Sequence, residues 1–473
     1  MGSRETPIRC RFWHPSHGFT FFRWYISRSM VSERVSRQEH GTEKVCSNSP
    51  DSNGQTPLSF AISGGDEGVV KLLLESVDVN PNSLGSNGQT PLSFFVSRGD
   101  EVVVKLLLER EDVDPNSSDT NSRTPLSFAA ERGDKGLVEL LLERGDVDPN
   151  SADSNGRTPL SFAAERGDRG LVELLLEWGD IRPNTADSNG RTPLSFAAEG
   201  GHEGVVKLVL ERGDVDPNLS DNNGQTPLLF AAELLLRPRD ANSDSHLLGQ
   251  MRQYFANPRH EGVMRLLLER EDVDPNPPNS DGRTPLSFAA ERGHEGILEL
   301  LLERGDVNPN SPEHNGRTPL SFAAEGGHVS VVELLLEWGD IRPNFSDNNG
   351  RTPLLFAAER LLERGDSDSY SHPGGRIRRY FAPLRHEGVM KPLLERGDVD
   401  PNLPDSSGRT PLSFAAEGGR EDAVKLLLNR GDINPNLPDS DGRTPLSFAV
   451  ERGHERVVKL LRKPERRRSR FFW

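Results

Sequence analysis

Long apolar runs and cysteines are what this sequence lacks. A membrane-spanning helix needs about 20 mostly apolar residues, and the 473-residue chain contains no such run. Cys10 and Cys46 are its two cysteines, which excludes a disulfide framework and a Cys-rich zinc site. The apolar stretch 19–26 is interrupted by Arg23, and no signal-cleavage pattern follows it. We therefore predict an intracellular chain that is not associated with a membrane.

Catalytic signatures are also missing. The sequence has no G-x-x-x-x-G-K-(S/T), H-E-x-x-H or G-x-S-x-G motif. Its repeated Glu and Ser residues lie on a regular pattern without a pocket that would shift their pKa. We predict that the chain is not an enzyme and uses no cofactor, metal or small-molecule substrate.

Charge is abundant but unevenly placed. Lys and Arg total 57 against 73 Asp and Glu, a net charge of -16. Both ends are basic: residues 1–45, which we expect to be disordered, and the tail 462–473. The acidic body, residues 46–461, should repel nucleic acid. We expect a cytoplasmic protein, or a nuclear one if Arg462–Arg468 acts as an import signal rather than a frayed tail.

One short motif recurs along the body. The triplet Thr-Pro-Leu occurs eleven times, mostly at steps of 34 residues. Such a period indicates a repeat architecture. The copies begin at Thr56, Thr90, Thr124, Thr158, Thr192, Thr226, Thr284, Thr318, Thr352, Thr410 and Thr444.

Each repeat predicts two short helices. Thr158 can cap the first helix, Pro159 suits its first turn, and Gly167 ends it. Apolar residues over 171–176 give the second helix its buried face, and Gly179 should end it in the left-handed conformation. Neither helix is long enough to be stable alone, so neighbouring repeats must stabilise each other.

These residues resemble a known family. The pattern T-P-L-x-x-A-A-x-x-G-(D/H)-x-x-(V/L)-V-x-L-L-L-x-x-G is similar to the ankyrin repeat over residues 46–461. The resemblance implies an all-α solenoid of helix-turn-helix units with hairpin-like loops, and a concave face that binds proteins. Ser161 stands where ankyrin repeats usually have His, so the usual Thr–His hydrogen bond should be lost. The sequence also looks like fungal arrays, which often form the sensor end of larger NACHT-type receptors.

Two gaps of 58 residues interrupt the period, near 234–258 and 361–385. We interpret each gap as two compressed repeats, which gives about 13 units, two of them degenerate. Met251 and Ile377 then replace the capping Thr, and Pro392 falls inside a second helix. A 24-residue insertion and an error in the gene sequence are the alternatives.

Candidate protein-binding residues fall into two groups. The resemblance places the Arg before Thr and the Glu-Arg after Ala-Ala on the concave face, as either a partner groove or a solvated ladder of charges. Trp residues replace an Arg in two repeats and are followed by Ile-Arg-Pro-Asn; aromatic and Arg residues are enriched at interface hot spots. The candidates are Arg157, Glu165, Arg166, Arg191, Arg317 and Arg351, then Trp178, Arg182, Trp338 and Arg342.

The Phe of each Ser-Phe or Leu-Phe pair also recurs, and we interpret it as packing between repeats rather than as a ligand ladder. We therefore predict a scaffold or adaptor that binds another protein through its concave face. The alternative is a sensor or regulatory fragment of a larger NACHT-type receptor.

Overall fold

The structure is a computed structural model that describes residues 56–63, 67–74, 79–85, 88–234, 258–362 and 386–462. Several expectations lie outside these residues: the disordered segment 1–45, nearly all of the two irregular stretches with Met251 and Ile377, and the tail from 463 onward.

The described residues form helices and no β-strand, arranged as pairs that we number as repeats 1 to 11. The first helices are α1 Pro57–Ser63, α3 Pro91–Arg98, α5 Pro125–Arg132, α7 Pro159–Arg166, α9 Pro193–Gly200, α11 Pro227–Leu234, α13 Pro285–Arg292, α15 Pro319–Gly326, α17 Pro353–Glu359, α19 Pro411–Glu417 and α21 Pro445–Glu451. The second helices are α2 Glu67–Leu74, α4 Glu101–Leu108, α6 Lys135–Leu142, α8 Arg169–Glu177, α10 Glu203–Leu210, α12 Pro258–Leu268, α14 Glu295–Glu303, α16 Val329–Glu337, α18 386–395, α20 Glu421–Leu428 and α22 Glu455–Leu461. A single 3-10 turn, Arg360–Leu362, extends α17.

The first helix begins and ends as the sequence predicts. In repeat 4 the hydroxyl of Thr158 accepts the backbone N–H of Ser161 at 3.3 Å, and Pro159 occupies the first turn. Gly167 follows the helix with a φ of 72°, in the left-handed region. The hydroxyls of Thr158 and Ser161 also lie 3.1 Å apart. Ser161 therefore supplies a short local partner for Thr158.

The second helix of repeat 4 departs from prediction at its end. Asp168 caps its start by accepting the N–H of Leu171 at 3.1 Å. The helix ends at Glu177, and Trp178 leaves it with an extended backbone, φ -77° and ψ 104°. Gly179 is not left-handed, whereas Gly145 of repeat 3 is, with a φ of 78°. The prediction for Gly179 was wrong: the backbone leaves the helical conformation at Trp178, and Gly213 and Gly397, which follow an Arg, are not left-handed either.

A tight turn joins successive repeats. The carboxylate of Asp187 accepts the backbone N–H groups of Asn189 and Arg191, and the N–H of Gly190 donates to the carbonyl of Asp187. The N–H of Ser188 donates to the carbonyl of Asn155 in the preceding turn, at 2.7 Å. Consecutive turns are thus hydrogen-bonded to one another and fix the register of the repeats.

The core lies between the helices of each repeat and its neighbours. In repeat 4 the residues Leu160, Ala163, Leu171 and Leu175 are all essentially inaccessible to solvent. The recurring Phe is also buried, with Phe162 only 5% exposed. The recurring Phe is buried in all nine repeats from Phe128 onward. This burial agrees with the interpretation that the Phe residues pack between repeats.

The two irregular stretches are insertions, which corrects the interpretation as compressed repeats. In regular repeats, Asn150 reaches the carbonyl of a residue 30 positions later, and His328 reaches one 37 positions earlier. Around the first gap the equivalent bonds are Asn218 to Asp272, 54 positions apart, and His260 to Glu199, 61 positions apart. Each separation is 24 residues longer, so α11 and α12 are the two helices of one repeat.

The second gap shows the same shift. Asn344 bonds the carbonyl of Asp398 across 54 positions, and His386 bonds that of Glu325 across 61. The described residues therefore form eleven repeats, of which repeats 6 and 9 carry 24 additional residues between their helices. Pro392 does lie inside a second helix, α18.

The chain divides into two compact bodies. The N-terminal body contains the described residues up to Phe196 together with Leu208–Val215. The C-terminal body contains Ala197–Lys207 and the described residues from Asp216 onward. Both are built from the same repeat, and each is described below by itself.

Candidate functional site

A ladder of Arg and Phe side chains runs along the start of the first helices. The guanidinium carbon of Arg157 lies 4.1 Å from the ring centre of Phe162 in its own repeat and 4.7 Å from that of Phe196 in the next. A cation this close to an aromatic face is attracted to it by about 0.5–2 kcal/mol. The same stacking is made by Arg123, Arg191, Arg283, Arg317, Arg351, Arg409 and Arg443.

The ladder is completed by the Glu of each first helix. Arg157 pairs with Glu165 at 2.5 Å, and Arg317 pairs with Glu325. Arg351 pairs with both Asp347 at 2.8 Å and Glu359 at 3.2 Å. The structure thus joins Arg157 to Glu165, which the sequence predicts as neighbours on one surface, and it fixes the guanidinium between aromatic rings.

Burial differs between the Arg and the Glu side chains of the ladder. Desolvation lowers the pKa of Arg123, although the carboxylates of Asp119 and Asp153 oppose the shift. The side chain of Arg157 is 20% exposed, whereas that of its partner Glu165 is 53% exposed. In repeats 3 and 4 the Arg residues therefore act mainly as packed scaffold and solvent reaches the Glu carboxylates, whereas in repeat 10 Glu417 is as buried as Arg409.

Arg166 has a different role from Arg157. Its Nη1 donates to the backbone carbonyl of Glu131 in the preceding repeat at 3.0 Å, as Arg132 does to Ser97 at 2.9 Å. These side chains cap the end of the neighbouring first helix. They are exposed, so they also border the same surface as the ladder.

A polar cavity of about 430 Å³ lies between repeats 3 and 4 on this surface. Arg123, Arg157, Glu131 and Asp153 line it, with Phe162 at its base. The cavity is therefore lined by charged side chains of both signs.

The Trp residues lie elsewhere in the repeat, at the ends of the second helices. Trp178 is 36% exposed, Trp338 is half-buried, and Arg182 and Arg342 are exposed. The structure does not bring them into the Arg–Glu ladder. The ten candidate residues therefore form two separate surfaces.

The position of Trp178 has a different occupant in other repeats. Arg144 pairs with Asp146, its Nη2 lying 3.1 Å from Oδ2, and donates to the carbonyls of Leu108, Arg110 and Val113 in the preceding repeat at 3.1–3.2 Å. We call this arrangement the arginine staple. The staple Arg residues that pair with the Asp two positions later are Arg110, Arg144, Arg212, Arg270, Arg304, Arg396 and Arg430.

The sequence D-V-D-P-N forms a second link between repeats. The amide nitrogen of Asn150 donates to the carbonyl of Asp180 at 2.7 Å, and its amide oxygen accepts the N–H of Arg182 at 2.8 Å. Asp148 accepts the N–H of Asn150 at 2.9 Å and the hydroxyl of Ser151 at 2.8 Å. Sequence reasoning missed this link and the staple; the only signal was that Asn150 and Arg144 recur at fixed positions.

Metal-binding clusters and membrane-spanning helices are both absent from the described residues. These residues contain no group of three or more His, Cys, Asp or Glu side chains placed to hold a metal ion. Within the same residues, no helix has the length and apolar character needed to span a membrane.

Comparison with known families agrees with this architecture. The family described as "Ankyrin repeats (3 copies)" matches residues 33–119, 93–187, 162–241, 232–311 and 382–467, and "Ankyrin repeats (many copies)" matches 288–336. The matches cover most of the chain, so it belongs to the ankyrin repeat family. No curated protein matches it. The predicted fold class is confirmed: an all-α ankyrin repeat solenoid, a type of module that generally mediates protein–protein interaction.

Proposed function

We propose that this ankyrin array is a non-catalytic scaffold that binds another protein through the concave surface carrying the Arg–Glu ladder. The observation that supports it most is the rigid presentation of repeated charges. Arg157 is held between Phe162 and Phe196, and it in turn positions the carboxylate of Glu165. Side chains that are already ordered lose little entropy on binding, which favours affinity.

The partner that fits this surface is a protein segment rather than nucleic acid. The chain carries a net charge of -16, and in repeats 3 and 4 the more exposed members of the ladder are the carboxylates. Phosphate backbones would be repelled by this surface. We place the encounter in the cytoplasm, with the nucleus as the alternative if the tail from Arg462 acts as an import signal.

The experiment is affinity capture with the full chain at physiological salt, followed by mass spectrometry. The test variant exchanges charges within the ladder, Arg157→Glu with Glu165→Arg and the same exchange at Arg317 and Glu325. The matched control exchanges Lys135 and Glu139, a pair at 3.7 Å on the second helix α6. We expect the ladder variant to lose a partner that the control retains.

A partner that binds both variants equally would contradict the proposed surface. The runner-up function, a sensor part of a larger NACHT-type receptor, is favoured by the resemblance to fungal arrays. An in-frame nucleotide-binding domain upstream of Met1 in the gene would support that alternative.

A further inference from the structure

The two Trp repeats lack the arginine staple, and the groups that a staple guanidinium would bind have no side-chain donor among the described residues; the Leu142 carbonyl accepts only the backbone N–H of Gly145. In repeat 3 the acceptor carbonyls lie 36, 34 and 31 positions before the staple Arg. At the same spacing before Trp178 they are the carbonyls of Leu142, Arg144 and Val147. No described side chain donates to these carbonyls, and the carboxylate of Asp180 is exposed without an ion pair among the described residues. In repeat 3 the corresponding groups all bind one guanidinium, that of Arg144.

The same exchange is found in repeat 8. Trp338 stands in the staple position, and Asp340 is exposed without an ion pair in the described part of the chain. The equivalent carbonyls belong to Leu302, Arg304 and Val307. Two repeats in different bodies therefore carry the same three features: an indole, an unpaired carboxylate and carbonyls without a guanidinium.

We propose that Trp178 and Trp338 mark two sites at which a partner protein inserts an arginine side chain. The other repeats show what these acceptors bind, since a guanidinium occupies the position in repeats 2, 3 and 7 with its own Asp and the carbonyls of the preceding repeat. The partner's guanidinium would pair with the carboxylate and donate to the carbonyls. The indole, which is 36% exposed at Trp178 and half-buried at Trp338, adds a flat face on which it can stack.

The chemistry favours arginine over lysine. A guanidinium presents a planar fork of donors that matches a carboxylate bidentately and stacks on an aromatic face, whereas an ammonium is a compact, strongly hydrated charge. Neighbouring Glu177 and Glu337 are exposed, so each site has an acidic border that attracts a cation. Arg182 and Arg342 are exposed, each four positions after its Trp. They repel a partner segment that carries only a cation, and they favour one in which the Arg is accompanied by a carboxylate.

This inference rests on the proposal that the array binds a protein, but it concerns a different surface from the Arg–Glu ladder. Direct binding is measured with the full chain labelled with 5-fluorotryptophan, whose five Trp residues give separate fluorine resonances. The probe is the blocked pentapeptide Gly-Gly-Arg-Gly-Asp, against the same peptide with Lys or norleucine in place of Arg. We expect the Arg peptide to shift the resonances of Trp178 and Trp338, and the Lys peptide to bind about tenfold more weakly.

The decisive variants are Trp178→Arg and Trp338→Arg, which supply the chain's own staple. We expect each to raise the Tm and to leave the peptide-induced shift of the other Trp intact, and we expect the double variant to lose binding of the Arg peptide. Trp178→Ala, which removes the indole without filling the site, controls for the side chain itself and should weaken binding about tenfold. Arg144→Ala, which opens a staple in a repeat without Trp, is the matched control and should leave both Trp resonances responsive.

The outcomes separate this inference from the proposed function. Equal shifts with the norleucine peptide, or no shift at either Trp, would overturn the arginine site. A captured partner that the double Trp→Arg variant still binds would do the same while leaving the scaffold function standing. Peptide-induced shifts without any captured partner would support the site and count against the scaffold function.

Discussion

The two bodies begin their second helices with different residues. In the N-terminal body Asp100, Asp134 and Asp168 occupy this position, and each carboxylate accepts an N–H of its own helix at 3.0–3.2 Å. In the C-terminal body His294, His328 and His454 occupy it and make no such capping bond. The same fold therefore tolerates a local cap in one body and its absence in the other.

The His side chains form a bond between repeats instead. Nε2 of His328 lies 2.9 Å from the carbonyl of Glu291 in the preceding repeat, and His454 reaches Glu417 in the same way. In the N-terminal body the longer, exposed side chain of Arg166 makes the equivalent bond. A short ring loses less rotamer entropy than an Arg side chain when it is fixed. The C-terminal body thus lacks the Asp cap and makes the bond between neighbouring repeats with a shorter side chain; such bonds couple neighbours and make repeat arrays cooperative.

The largest expected effect is steric and exists only in repeats that carry a His at the start of the second helix. A Cβ at Gly326 would lie 2.4 Å from Cδ2 of His328, because the ring passes over this glycine. We expect Gly326→Ala to destabilise the protein by roughly 1–3 kcal/mol through overpacking. In a His328→Ala background the same change should stabilise it by up to about 1 kcal/mol, the helix preference of Ala over Gly. Denaturant unfolding measures both.

The matched control for this prediction is in the N-terminal body. A Cβ at Gly170 would meet nothing closer than Oδ1 of Asp168 at 3.7 Å, so Gly170→Ala should stabilise by about 1 kcal/mol. A loss of stability at Gly170, or none at Gly326, would show that the His ring does not set the difference.

An intermediate effect comes from the Asp caps. Asp168→Ala removes the acceptor for the N–H of Leu171 and should cost about 1 kcal/mol. Hydrogen exchange at the amide of Leu171 should become faster, whereas Asp168→Asn should largely preserve protection. At His294, where no capping bond exists, the change to Ala should leave the amide of Ile297 nearly as protected as before.

The smallest expected effect is a pH dependence of stability that comes from a buried His side chain. Burial lowers the pKa of His260, whose Nδ1 is buried without a partner in the described residues. The unfolded chain therefore binds a proton more readily than the folded one. Stability should fall as the pH drops below about 6.5 and level off below the folded-state pKa.

This dependence is measured as the free energy of unfolding between pH 7.5 and 5. His260→Gln should reduce its slope. An unaltered slope in the His260 variant would mean that this ring does not contribute.

The sequence predicts the repeat well because the repeat is specified locally. Thr158 as a cap, Pro159 in the first turn and Gly167 in the left-handed region depend only on residues within one helix, and all three predictions are confirmed. The end of the second helix was less predictable. The same Gly follows each second helix, yet Gly145 is left-handed whereas Gly179 and Gly213 are not, so the recurring Gly alone does not specify this end.

Contacts between repeats could not be predicted in the same way. The bonds of Asn150 and Arg144 join atoms 30 or more positions apart, and the period alone does not show which side chain reaches which carbonyl. The insertions were misinterpreted for the same reason. Met251 and Ile377 were interpreted as replacing a capping Thr, which favoured additional repeats, whereas the hydrogen bond from His260 to Glu199 shows which helices are partners.

The turn between the two helices of a repeat has a practical consequence. Repeats 6 and 9 accept 24 extra residues there while Asn218 and Asn344 keep the same bonds to the following repeat as Asn150 does. None of these bonds involves that turn. Foreign peptide loops grafted between Gly167 and Arg169 should therefore leave the register of the array intact, which makes each such turn a display position for engineered binding loops.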